Sequence, residues 1–245
     1  IMGKIKVLFI ILARKGSKGV TNKNFRKING KPLFQYILEA ALEAKIKINS
    51  NFDIEIVVSS NDKNIIDHAN SIQANLAPFK RPIRYSRDDS LSIDAMKHAL
   101  EYMEKDKKIK YDQISLLQPT SPLCEPEDIL NCIYSLNSQK EFVSAVTICE
   151  SSIHPFKMKR LLNNNVLVNY IDQGFEDMRP RQSLPRVYKR NGAVYLSKRS
   201  VIVDEASILG DPCLGVEVPK IRSIDIDNEA DFKLAEILIK EKHQI

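Results

Sequence analysis

Apolar residues run unbroken over positions 7–13, and a loop rich in glycine and positive charge follows at once. Unbroken rather than alternating apolarity predicts a strand covered on both faces. Leu33, Ile37, Ala40 and Ala41 recur at helical spacing, which predicts a helix opened by Pro32 and reaching about Lys45. Positions 54–59 are rich in β-branched residues and read as a second buried strand. Asp62 is placed to cap a helix to about Gln73. Positions 81–89 form a loop containing Pro82, and Ala95, Met96, Ala99, Leu100 and Met103 mark one side of a helix over 93–104. A third core strand is expected over 111–117, a helix from Pro126 to about Leu136, and a fourth strand over 142–149.

This alternation of strands and helices predicts an α/β fold, a mainly parallel sheet with helices on both faces. Such sheets bind ligands beyond the carboxyl ends of their strands, where the loops after the first and third strands lie. Pro119 and Pro122 stiffen the second of these loops. The pattern breaks over 150–186, a polar stretch whose short apolar runs flank Asn163, Asn164 and Asn165. It reads as a hairpin arm inserted into one domain spanning 3–245. The arm cannot bury its own apolar side, so a second subunit is its expected cover. Strands are then expected over 187–196 (interrupted by Asn191 and Gly192), 216–218 and 221–226, before an amphipathic helix over 229–242.

Composition narrows the function classes. Hydrophobic residues are 43% and charged residues 28% of 245, as in a folded globular domain. No apolar run approaches the ~20 residues of a membrane helix. Positions 4–13 look superficially like the start of a signal peptide, but the apolar core is short and Arg14 and Lys15 follow it. Cys124, Cys132, Cys149 and Cys213 are scattered, which suits reduced thiols and the cytoplasm. His68, His98, His154 and His243 form no metal-ligand pattern. The net charge of +6 suits an acidic partner, but 7% aromatic residues are too few for a base-stacking platform, so neither nucleic acid nor membrane is expected as partner.

Two groups of residues could carry chemistry. Arg14, Gly16, Ser17, Lys18, Gly19 and Lys23 follow the first strand without matching either the Walker A or the dinucleotide pattern. Glycine lets backbone N–H groups approach an anion, and Arg and Lys bind phosphate oxygens. By residue type the loop reads equally as a solvated basic turn. Asp225 and Asp227 would share one face of the predicted strand. Neighbouring carboxylates repel unless a cation stands between them, and Mg2+ fits such a pair completed by phosphate. A solvent-facing strand end that caps the following helix is the plainer reading. Cys124 has no His near it in sequence to act as base. Arg179, Arg186 and Arg190 read as surface charges or anion ligands, and His154-Pro155 as a turn or a lining of the substrate pocket.

Leu-Ala-Arg-x-x-Ser-Lys-Gly-x-x-x-Lys-Asn, from Leu12 to Asn24, resembles the signature of the CMP-sialic acid synthetases, the acylneuraminate cytidylyltransferases. Five further matches follow in order: Arg81-Pro82 with Asp88; Leu117 to Leu123; Pro180-Arg181-Gln182 with Leu184-Pro185; Asn191-Gly192-Ala193 with Tyr195; and Ser223 to Asp227. The resemblance implies a three-layer, Rossmann-like nucleotidyltransferase with a small inserted dimerisation arm, working as a homodimer. It implies that the anomeric hydroxyl of a nine-carbon keto-sugar acid of sialic, legionaminic or pseudaminic type attacks the α-phosphorus of CTP. Pyrophosphate leaves, with Mg2+ as cofactor. Leu12, Ala13, Arg14, Gly16, Ser17, Lys23, Asn24, Arg81 and Ser92 would then bind the nucleotide. Arg14, Lys23, Asp225 and Asp227 would be catalytic, the two aspartates holding the metal. Gln118, Arg181, Lys189 and Asn191 would face the sugar acid, some across the dimer. Two positions depart from the family: Cys124 replaces a common Arg, and Lys189 stands where many members carry Arg. The rival readings are a 3-deoxy-manno-octulosonate cytidylyltransferase, whose first loop usually reads Ala-Arg-x-x-Ser-x-Arg-x-Pro-Gly-Lys, and a non-catalytic CTP- or RNA-binding module, which would not need the paired aspartates.

Overall fold

The computed structural model describes residues 3–16 and 19–242. In chain order the elements are β1 (Ile5–Leu12), a small hairpin β2 (Lys27–Ile28) and β3 (Lys31–Pro32), α1 (Leu33–Lys47), β4 (Phe52–Ser59), α2 (Lys63–Ile72), α3 (Ser92–Lys107), β5 (Gln113–Leu117) and α4 (Pro126–Ser138). There follow β6 (Ser144–Glu150), β7 (Lys159–Leu161), β8 (Leu167–Asn169), β9 (Tyr188–Lys198), α5 (Arg199–Val203), β10 (Cys213–Glu217) and α6 (Glu229–Lys242).

One six-stranded sheet runs β10-β6-β9-β5-β1-β4. All neighbours are parallel except β9, which is antiparallel to both β5 and β6. The start of β9 therefore reaches the rim where the parallel strands end. β1 explains its own sequence: Val7, Phe9 and Ile11 pack into one core with α1, α2 and α4, while Leu8 and Ile10 pack into the other with α3. A strand buried on both faces has no polar side to alternate with. Asp62 caps α2 as expected, accepting the Asn64 N–H at 3.0 Å.

A third cluster matters most for function. Val20 of the first loop, Leu123, Ile226 and, from α6, Phe232, Ala235 and Ile239 pack together. The basic loop, the loop after β5 and the segment carrying the two aspartates thus share one small core.

Two expectations are corrected. Positions 221–226 form no strand: a 3-10 turn (Lys220–Arg222) leads into irregular chain whose Ile226 N–H donates to the Thr120 carbonyl at 2.9 Å. That backbone bond goes to a loop, so no ladder forms. The last strand is Cys213–Glu217, slightly earlier than the apolar run suggested. Within 150–186, β7 and β8 form the hairpin, turning through Asn164 and Asn165 at φ 60° and 61°. Asn tolerates this left-handed conformation better than most residues. Among the described residues no helix is long and apolar enough to cross a membrane.

Candidate active site

A cavity of about 420 Å3 opens at the carboxyl ends of β1 and β5. Its walls include Leu12, Arg14, Gly19, Lys23, Asn24, Arg81, Ser92, Gln118 and Asp227. The first loop is pinned to the end of β4, through the Ala13 N–H to the Ser59 carbonyl (3.1 Å) and the Lys15 N–H to Asn61 Oδ1 (2.8 Å). Gly16 takes φ 74°, where a side chain would be strained. Ser17 and Lys18 lie outside the described residues. Asn24, itself buried, donates from Nδ2 to the Arg14 carbonyl at 3.0 Å and so closes the loop on itself.

Lys23 joins the two ends of the sequence. Its Nζ donates to the Ile226 carbonyl at 2.5 Å and lies 3.7 Å from Asp227 Oδ1. Gly19 meets the same segment from the other side: a Cβ there would stand 2.0 Å from the Asp227 carbonyl oxygen. Only a residue without a side chain lets the loop close on the aspartates.

The positive charge of the cavity is only partly compensated. Arg14 pairs with Asp88 at 2.7 Å. Arg81 is 3% exposed, and its Nε and one terminal nitrogen have no partner among the described residues. Burial pushes its pKa down to about 10, and the nearby Arg14 charge adds to the effect. A buried guanidinium with unmet donors costs free energy until an acceptor arrives. An anionic, carbonyl-bearing ligand would supply one.

Asp225 and Asp227 differ in setting. Asp227 is 78% exposed and lines the cavity, whereas Asp225 is partly buried behind it. Gly192, at φ 88°, leaves room for Asp225: a Cβ there would come 2.9 Å from its Oδ2. Burial raises the Asp225 pKa and the Asp227 charge raises it further, while the Thr120 hydroxyl, Lys23 and Lys189 act the other way. The aspartates do not share a strand face as expected, since no strand forms there; buried Ile226 lies between them. Among the described residues no group of three or more His, Cys, Asp or Glu could hold a metal. Two interacting carboxylates beside a phosphate-sized basic cavity do fit Mg2+, which takes its remaining oxygens from phosphate and water.

Arg222 fixes this segment. Its guanidinium donates to both Asp128 oxygens at 2.6 and 3.0 Å and pairs with Glu125 at 2.9 Å. Glu125 and Asp128 form the capping box of α4, directly after the 118–123 loop. The acidic start of α4 is visible in sequence, but its distant cationic partner is not. Asp88, matched with Arg81-Pro82 in the sequence, pairs with Arg14.

The predicted sugar-acid residues do not all converge. Gln118 ends in the main cavity and also in a second one of about 500 Å3, which shares Leu91, Ser92 and Leu116 and adds Arg190, Tyr195, Ile208 and Leu209. Asn191 is 2% exposed and fully engaged, donating to Ser223 Oγ at 3.1 Å and accepting the Ala193 N–H at 3.1 Å. It braces the site instead of facing a ligand. Ala13 is likewise fully buried and anchors the loop through its backbone. Lys189 acts on Asp225. Arg181 lines a separate cavity of about 380 Å3 with His154, its guanidinium donating to the Ser151 carbonyl at 2.5 Å. His154 caps a 3-10 turn, its Nδ1 accepting the Phe156 N–H at 3.2 Å. Cys124 is buried, and burial pushes its thiol pKa far up, which removes it as a nucleophile.

The family described as cytidylyltransferase matches residues 8–240. The chain is 34% identical to a pseudaminic acid cytidylyltransferase of Campylobacter jejuni over 242 residues, 98% of this chain and 99% of that one. It is 30% identical to a CMP-N,N'-diacetyllegionaminic acid synthase of Legionella pneumophila, over 96% of this chain and 97% of that one. Among solved structures, a CMP:2-keto-3-deoxy-manno-octonic acid synthetase complexed with CTP shares the fold, with a TM-score of 0.66 and 19% identity over 97% of this chain and 99% of that one.

Proposed function

The chain belongs to the cytidylyltransferase family, and from that premise we propose that it transfers CMP from CTP to a nonulosonic acid. The anomeric hydroxyl of the acid attacks the α-phosphorus, the bond to the bridging oxygen breaks, and pyrophosphate leaves. One observation carries the reading: Lys23 spans 203 positions of sequence to hold the basic loop against the Asp225–Asp227 segment. A basic loop held against a carboxylate pair that suits Mg2+ supports attack at a phosphorus.

Arg14 and Lys23 grip the triphosphate and stabilise charge gathering on the departing pyrophosphate. The unmet donors of Arg81 point to an oxygen-rich ligand, and with Asn24 and Ser92 it faces the cytosine and ribose. Gln118, between the two cavities, orients the sugar acid. Asp225 and Asp227 would hold Mg2+, which when bound neutralises phosphate oxygens and favours loss of the hydroxyl proton. The octulosonate alternative fits less well, since the relatives named above with the same length and higher identity act on pseudaminic and legionaminic acids.

The reading extends to assembly. Leu161, Leu167, Tyr170, Phe175 and Met178 of the 150–186 arm are 56–79% exposed. This apolar side supports a homodimer in which the arm is covered by a second copy. The four free thiols and the CTP substrate suit the cytoplasm.

The test is pyrophosphate release with CTP and Mg2+ over nine-carbon and eight-carbon keto-sugar acids. Turnover is expected with at least one nine-carbon acid and preferred over the eight-carbon one. No turnover with any member would overturn the proposal.

A further inference from the structure

Lys189 and Arg190 are consecutive on β9, so their side chains leave opposite faces of the sheet. Their surroundings agree. The Lys189 charge acts on Asp225, whereas Arg190 lines the second cavity on the α3 side of the sheet, with Tyr195 and Leu116. The exposed Arg190 guanidinium has no hydrogen bond or ion pair among the described residues. Among the described residues it is the only charged side chain in that cavity's walls, whose other polar members include Gln118 and Ser92. A cation beside the Gln118 amide and the Ser92 and Tyr195 hydroxyls offers an anion a charged, hydrogen-bonding wall. The triphosphate has its own cations, Arg14 and Lys23, in the first cavity. The other reactant brings one fixed anion, its carboxylate.

We infer that Arg190 binds the carboxylate of the sugar acid in the second cavity and is a specificity-determining residue of this enzyme. This rests on the nonulosonic acid reading above. A planar guanidinium meets a carboxylate through two parallel hydrogen bonds, fixing the angle of the acid as well as holding it. Gln118 then stands between the carboxylate and the nucleotide, the position from which the neighbouring anomeric hydroxyl can be aimed at the α-phosphorus. Arg190 rather than Lys189 would thus be the carboxylate partner on this strand, leaving Lys189 to the aspartates.

Steady-state pyrophosphate release by the full chain, varying CTP and the best acid of the panel separately, tests the assignment. Arg190→Ala is expected to raise the KM for the acid ~10–100-fold, the scale of a charge-assisted bidentate contact, with the CTP KM within about twofold of the parent. Arg190→Lys should recover part of the loss, since charge survives without the fork. The parent should reject the methyl ester of the acid by a comparable factor, and Arg190→Ala should lose that discrimination. An unchanged acid KM, retained ester discrimination, or a CTP KM that rises in step would overturn the assignment while leaving the functional reading intact. No turnover by the parent would overturn both.

Discussion

Asp225 and Asp227 stand two residues apart but meet different surroundings, one partly buried against Gly192 and the other open to the cavity beside Lys23. Both charges are needed if both meet the metal. Asp225→Asn and Asp227→Asn should each lower turnover at least ~100-fold, a typical scale for losing a charge-stabilising group. Pyrophosphate release measured over a range of Mg2+ would read this, and near-parental rates in both variants would leave the pair a structural feature. Their spacing made the pair legible in sequence. Their unequal burial was not, because Gly192, whose missing side chain leaves room for Asp225, arrives from another segment.

Elements carry these side chains, and the contacts between elements set their precision. Arg222 ties the turn before Asp225 to the capping box of α4, so its loss strands Asp128, whose side chain is only 5% exposed. Arg222→Ala should destabilise the fold by about 3 kcal/mol, the scale of breaking a buried pair. It should also weaken the Mg2+ dependence, and Arg222→Lys should restore stability only in part. Denaturant unfolding and a metal titration check both, and an unaltered unfolding midpoint would remove the clamp. On α3, His98 packs against Phe79 and Tyr85 with ring centroids 5.0 and 5.3 Å away, and Tyr85 lines the main cavity. Burial lowers its pKa from 6.5, aided by Arg84 and Arg81 and opposed by Glu101. The native chain therefore holds this proton less than the unfolded chain. Stability from this group is present above about pH 6.5 and falls as the pH drops below it. The thermal midpoint should decline more steeply on acidification in the parent than in His98→Gln, and parallel declines would refute the role.

At the scale of the molecule, the arm over 150–186 exposes the apolar side chains on which the proposed homodimer rests. Apolar side chains exposed on both its strands cost little in an isolated hairpin but favour association. Leu161→Glu together with Leu167→Glu should shift a dimer toward monomer, read as a halved mass by light scattering at micromolar concentration. A monomeric parent with full activity would contradict the assembly. The arm was legible as an interruption of the strand-helix rhythm, because a polar stretch around three asparagines cannot join a parallel sheet.

By itself, the sequence determined the layers, since apolarity on both sides of β1 or one side of α3 is a local periodic property that any fold must satisfy. It also determined the residue types of the basic loop and the aspartate pair. Only the tertiary structure decided which of them meet. Lys23 reaches Ile226, Arg14 finds Asp88, Asn191 turns inward as a brace, and Arg190 rather than Arg181 joins Gln118. Each outcome depends on which loops the sheet order brings to one rim. In particular, it depends on β9 entering antiparallel between β5 and β6, and pairing between distant strands leaves no mark on local periodicity.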